Sequence, residues 1–201
     1  MDDPRGHGSR RGLEGAELGA WLARVGADDP VAARVEAVEL GRERAFRARL
    51  VVGAGHVPRS AEAETLRWFQ LARWTPRLEV EIGPAELRDP GRSVDGLWKE
   101  AEARCREVDE PLQRVGGPLT VLVADLDRMT EQVGTWPAEV GPILRFVDGV
   151  RPVVGVAAKA PFPPDVTIRI VARLVSSGVL MVGSREPEGR DAVVSPEPLE
   201  E

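Results

Sequence analysis

The 201-residue chain reads as an α+β protein: a small antiparallel sheet with flanking helices, then a helical, winged-helix-like unit. Three observations predict this class. Apolar residues alternate with period two over 31–40, 45–52 and 78–82, the pattern of strands with one face toward a core. They recur near every 3.6 residues over 12–25, 61–73 and 93–115, which predicts helices with one buried stripe. Gly116-Gly117-Pro118 then breaks the chain before a series of shorter elements. The expected organisation is a flexible tail over 1–11, an α+β domain over 12–116, a winged-helix-like domain over 117–184 and a disordered acidic tail over 185–201.

Each element has a local reason. Leu13, Leu18, Trp21, Leu22 and Val25 share a helical face, and Gly26 with Asp28-Asp29-Pro30 ends it. In the first strand run Val31, Ala33, Val35 and Ala37 alternate with Arg34 and Glu36, and residues 41–44 are expected to close a hairpin. Gly53-Ala54-Gly55 is a turn leading to an extended His56-Val57-Pro58. Ser60 is placed to cap a helix over 61–73, with Glu62 and Glu64 in the first turn, where the helix dipole favours carboxylates. Leu78-Glu79-Val80-Glu81-Ile82 alternates strictly, and residues 85–91 read as a linker. Ser93 or Asp95 opens a long helix to about Val115, with Leu97, Ala101, Cys105, Val108 and Leu112 on one stripe. Beyond the glycine break come a short strand over 119–124, a helical stretch over 125–133, and a helix over 138–146 capped by Thr135. A helix over 153–159 and one capped by Asp165 follow, with Gly178 at the C-terminal position of the latter and a strand over 179–182 closing the unit.

Composition bounds the function. With 42% hydrophobic and 30% charged residues, the chain can build a core, which excludes wholesale disorder. A net charge of −6 gives no general pull toward nucleic acid or anionic lipid. Cys105 is the only cysteine, so an intramolecular disulfide is impossible. No stretch approaches the roughly 18–20 apolar residues a membrane span needs, and the start lacks the apolar core of a signal peptide. The expected location is the cytoplasm.

The order of elements resembles the PatA-N-terminal-type domain (PATAN), a bacterial family without known enzymatic activity. Gly12-Leu13, Gly15-Ala16, Leu18 and Ala20-Trp21-Leu22 are similar to its opening and first helix. The glycine turn with His56, the amphipathic stretch 62–74 and the strand 78–83 are similar to its hairpin, helix and closing strand. Residues 94–110 (VDGLWKEAEARCREVDE) resemble its next helix. Residues 143–151 with 174–180 are similar to the helical extension that accompanies many such domains. The resemblance covers about residues 12–183. It implies a protein-interaction role in signalling or motility control, beside or apart from receiver-domain proteins, and no catalytic residue.

Residue chemistry leads the same way. His56 lacks the base, orienting group and oxyanion donors of a nucleophilic site, so a turn-capping role is expected. It has no His or Cys at metal-ligand spacing. Asp125-Leu126-Asp127 lacks the remaining ligands of a calcium loop, and Asp148 does not complete one. Gly53-Ala54-Gly55 and Gly116-Gly117 lack the Gly-Lys-Ser/Thr of a phosphate cradle. The expectation is therefore no catalytic, cofactor-binding or metal-binding residue, no cofactor, no membrane, and a protein partner in an adaptor-type role. The alternative is a transcriptional regulator touching DNA through its C-terminal unit, with Lys159, Arg169 and Arg173 as candidate nucleic-acid contacts. Trp98 and Trp136, flanking the expected domain junction, are candidate interaction anchors.

Overall fold

The computed structural model describes residues 10–37 and 47–183. The chain runs through β1 (Arg10–Leu13), α1 (Leu18–Val25), β2 (Val31–Ala37), β3 (Arg47–Val52), β4 (His56–Pro58), α2 (Glu62–Arg73), β5 (Leu78–Pro84) and β6 (Pro90–Ser93) to α3 (Val94–Arg106) and α4 (Asp109–Arg114). After the glycine pair come β7 (Leu122–Ala124), α5 (Leu126–Gln132), α6 (Val140–Leu144), α7 (Val153–Lys159), α8 (Pro164–Ser176) and β8 (Leu180–Val182). The class is α+β.

The alternating runs form an antiparallel sheet of order β1-β5-β2-β3. Ala33, Val35, Leu50, Leu78 and Val80 enter the core. On the other face Glu81, Arg34 and Arg49 lie in register across three strands, and Glu79, Glu36 and Arg47 form the next row. Each row thus sets a pair of opposite charges, Glu81 beside Arg34 and Glu36 beside Arg47, next to a pair of like charges, Arg34 beside Arg49 and Glu79 beside Glu36. The Arg47 guanidinium sits 2.6 Å from a Glu36 carboxylate oxygen.

Two strands go beyond what the sequence predicts. β1 begins at Arg10, inside the predicted tail, and pairs with β5, whereas the apolar spacing places residues 12–13 in a helix; helix α1 starts only at Leu18, after a 3-10 turn. β6 lies across the end of the expected linker and pairs with β4. Both are short and polar, so their pairing partners define them rather than any alternation of their own. The expected hairpin loop at 41–44, the end of the first run at 38–40, and the tails over 1–9 and 185–201 lie outside the described residues.

Helix entries also differ. Ser93 caps α3 as expected, accepting from the Gly96 N–H at 3.1 Å. Ser60 sits inside a 3-10 turn over Arg59–Ala61 and makes no cap to α2. Thr135 donates to the Gln132 carbonyl instead of capping α6. Asp165 lies within the first turn of α8, which Pro163 and Pro164 open. The single long helix expected to about Val115 is two, because the Pro111 ring would clash with the carbonyl four residues earlier, at Glu107.

Gly116 and Gly117 turn the chain at φ +91° and +102°, backbone that L side chains rarely adopt. The core does not divide there. Leu66, Phe69, Leu97, Val108 and Leu112 from before the turn belong to one cluster with Leu122, Ile143, Val156, Ile168 and Leu180 from after it. Helix α8 packs against α4, α7 and α2, so the segment after the turn is seated on the helical layer that precedes it.

Candidate functional site

The sequence candidates fall into place one at a time. His56 is exposed, and its Nδ1 lies 2.8 Å from the Ala54 carbonyl, tying down a two-residue turn in which Ala54 and Gly55 both have positive φ. Asp125 Oδ1 accepts the N–H groups of Asp127 and Arg128, which caps α5. Asp148 Oδ1 does the same for Val150 and Arg151. Partial burial pushes the Asp148 carboxyl up, but the two N–H donors and the nearby Arg151 charge outweigh it and hold the group below its ordinary range. These carboxylates are engaged as turn caps. Among the described residues no three His, Cys, Asp or Glu side chains gather into a metal-binding group.

The two tryptophans offered as anchors differ. Trp98 is 9% exposed, meets Phe69 edge-on at 5.1 Å between ring centroids, and lies against Gly19 of α1. It is a core residue joining α1 to α3, packed inside and not displayed as an interaction anchor. Trp136 is partly buried against the core.

The three candidate nucleic-acid contacts are exposed, Lys159 at the end of α7 and Arg169 with Arg173 on α8. Arg169 is engaged by Glu107 at 2.6 Å, from the α3–α4 corner. A helix that reads a major groove must enter it with one long face free. Helix α8 is flanked by α2, α4, α6 and α7 and buries Thr167, Ile168, Val171, Ala172 and Leu174. Its remaining surface is narrow and partly neutralised.

Sequence reasoning missed a polar cluster at the seam between the two halves. Arg67 of α2 donates to the carbonyls of Ala157, Ala158, Ala160 and Phe162 at 2.7–2.9 Å, closing the C-terminal end of α7. Burial lowers its pKa, and Glu64 acts against that. One turn along, Gln70 Nε2 donates to buried Asp165 at 2.9 Å. The cluster is fully occupied by these internal contacts and holds the fold.

The remaining feature is a surface. β7 and β8 pair antiparallel, with Leu122 opposite Val182, Val123 opposite Met181 and Ala124 opposite Leu180. Leu122 and Leu180 are 1% exposed and face the core, so Val123 and Met181, next along each strand, face out at 39% and 48%. Gly149 and Gly183 flank Val123; a Cβ on them would lie 3.2 and 3.4 Å from its methyl groups. Val150, beside Gly149, is 69% exposed, and Val182 is 56%. Leu126 opens α5 at 72%, and Leu119 precedes β7 at 40%. Every large exposed hydrophobic side chain among the described residues lies in or beside this ribbon. Grouped apolar surface marks interaction sites on folded proteins, whereas single exposed apolar residues carry no such meaning; here Val123 and Met181 share one face with the Gly149–Val150 turn beside them, and Val182 lies on the Leu180 side.

No family model matches the chain, and no curated protein or solved structure is significantly similar to it. No helix among the described residues is long and apolar enough to cross a membrane.

Proposed function

We propose that this protein is a non-enzymatic, adaptor-type interaction module in bacterial signalling or regulation, and that it docks a protein partner on the exposed face of the β7–β8 ribbon. The observation that carries the reading is that Val123 and Met181 face out side by side with exposed Val150 close by, while the other large exposed hydrophobic side chains of the described residues, Leu119, Leu126 and Val182, lie in or within three residues of the same two strands. Fully burying a Val, Leu or Met gains about 1.5–3 kcal/mol, so a few such side chains supply the apolar centre an interface needs. The signalling context comes from the PATAN resemblance alone.

The test compares crosslinked partners of the immobilised chain in native lysate with those of a Val123→Glu, Met181→Glu protein. A partner captured by the first and lost by the second supports the reading. Arg49→Glu on the sheet face serves as control and is expected to retain it. Equal recovery by the double variant sinks the proposal.

A further inference from the structure

The chain between β7 and α6 is fastened at both ends and loosely held between them. At the near end the Asp125 N–H bonds to the Val179 carbonyl at 2.9 Å; at the far end Val140 and Ile143 are buried. None of the described side chains over 126–139 is buried, and only Met129, Gln132 and Trp136 are half-buried. Helix α5 has seven residues, too few to persist unsupported, since isolated helices shorter than roughly 12–15 residues are marginal in water. It packs mainly on the 3-10 turn that follows it, Val133–Thr135. The hydroxyls of Thr130 and Thr135 donate within the segment, to the Leu126 and Gln132 carbonyls. Among the described residues one hydrogen bond from 126–139 reaches the body of the protein. Arg128 Nη1 donates to the Ser177 carbonyl at 3.4 Å, and the guanidinium lies directly over Gly178, where a Cβ would collide with it. That places a cation at the C-terminal end of α8, where the helix dipole favours one.

We propose that residues 126–139 form a strap that opens and closes as a unit on a body that stays folded. Two latches hold it shut: Arg128 on the end of α8, and Trp136 with Met129 against the core. Release costs little burial and one long hydrogen bond, so the open state lies far below global unfolding on the free-energy scale. Once released, α5 loses its support and its helical hydrogen bonds with it. The hinges fall on either side, at Asp125, whose N–H stays on β8's approach, and at buried Val140. The ribbon register, which ends at Ala124, is untouched by the motion. The Arg128 latch is electrostatic and its side chain is 55% exposed, so dissolved salt screens it. The strap is thus a two-state element at one end of the ribbon, biased by ionic strength. This inference goes beyond the docking reading and stands or falls without it.

Amide hydrogen exchange on the full chain tests it, with helix α8 as the internal reference. Strap amides over 129–136 are expected to exchange at least about 100-fold faster than those in the middle of α8, because they open without global unfolding. Trp136→Ala removes the apolar latch and speeds strap exchange about tenfold further, leaving α8 unchanged. Arg128→Ala speeds it about two- to fivefold, the worth of a cation at a helix C-terminus. Sodium chloride at about 1 M reproduces the Arg128→Ala effect in the unaltered chain and adds nothing in that variant. A strap as protected as α8 overturns the proposal, as does strap exchange that either variant leaves unchanged. Equal acceleration of strap and α8 in Trp136→Ala also overturns it, since Trp136 would then be a wedge of the common core.

Discussion

Arg67 is the side chain on which the most main-chain groups depend. Its guanidinium serves four carbonyls at the end of α7, and Arg67→Ala leaves them without that donor. The expected loss is about 2–4 kcal/mol, read by urea denaturation with two-state fitting. Arg67→Lys keeps the charge but not the planar fork, and recovers less than half of that loss. Cys105 allows a second test. Burial pushes its thiol up to about 12, while an unfolded thiol titrates near 8.5. The unfolded chain therefore releases this proton first as pH rises. The thiol's contribution is fully present below pH 8.5 and is lost between there and 12, by at most ~1.4 kcal/mol per pH unit. Stability measured from pH 8 to pH 10.5 falls less steeply in Cys105→Ala, and identical slopes would refute the assignment. These two residues were unequally legible. Cys105 lies on an apolar stripe that the sequence displays. Arg67 sits between Leu66 and Trp68 like any solvent-facing arginine, and its ligands are 90–95 residues away.

At the scale of elements, close approach separates helices that tolerate change from helices that do not. A Cβ on Gly19 would lie 2.3 Å from the Trp98 ring, so α1 can approach α3 only because that position has no side chain. Gly19→Ala is expected to destabilise by about 2 kcal/mol or more despite its better helix propensity. Gly141 in α6 meets nothing within 4 Å, and Gly141→Ala is expected to stabilise by about 0.5–1 kcal/mol. Thermal melts of the two variants should shift in opposite directions. Ser93→Ala removes the cap of α3 at a cost of about 1 kcal/mol, whereas Ser60→Ala, at a residue that caps nothing, changes stability little. Sequence alone located β2, β3 and β5 because half-buried strands print their period in side-chain type. It missed β1 and β6, which are defined by their pairing partners. It misplaced caps wherever a 3-10 turn precedes or replaces the regular helix entry, since hydroxyl and carboxylate side chains satisfy several local geometries equally well.

For the whole molecule the governing fact is the undivided core. Gly116-Gly117-Pro118 looks like a boundary because the chain does turn there, but α2 and α4 present apolar faces that α8 covers. Calorimetry is expected to show one transition with a calorimetric-to-van't Hoff ratio near one, and two resolved transitions would contradict the shared core. The exposed apolar ribbon was not legible, because Val123 and Met181 become neighbours only when β7 and β8, far apart in the chain, pair. The seam also sets an order of events in the cell. A polypeptide leaving the ribosome presents Arg67 long before its last ligand, the Phe162 carbonyl 95 residues downstream. At roughly 5–20 residues per second the interval is on the order of 5–20 seconds. Through that interval the apolar side of α2 has no α8 to rest on. Emergence of α8 ends that exposure, so the molecule completes itself only after most of it has been made.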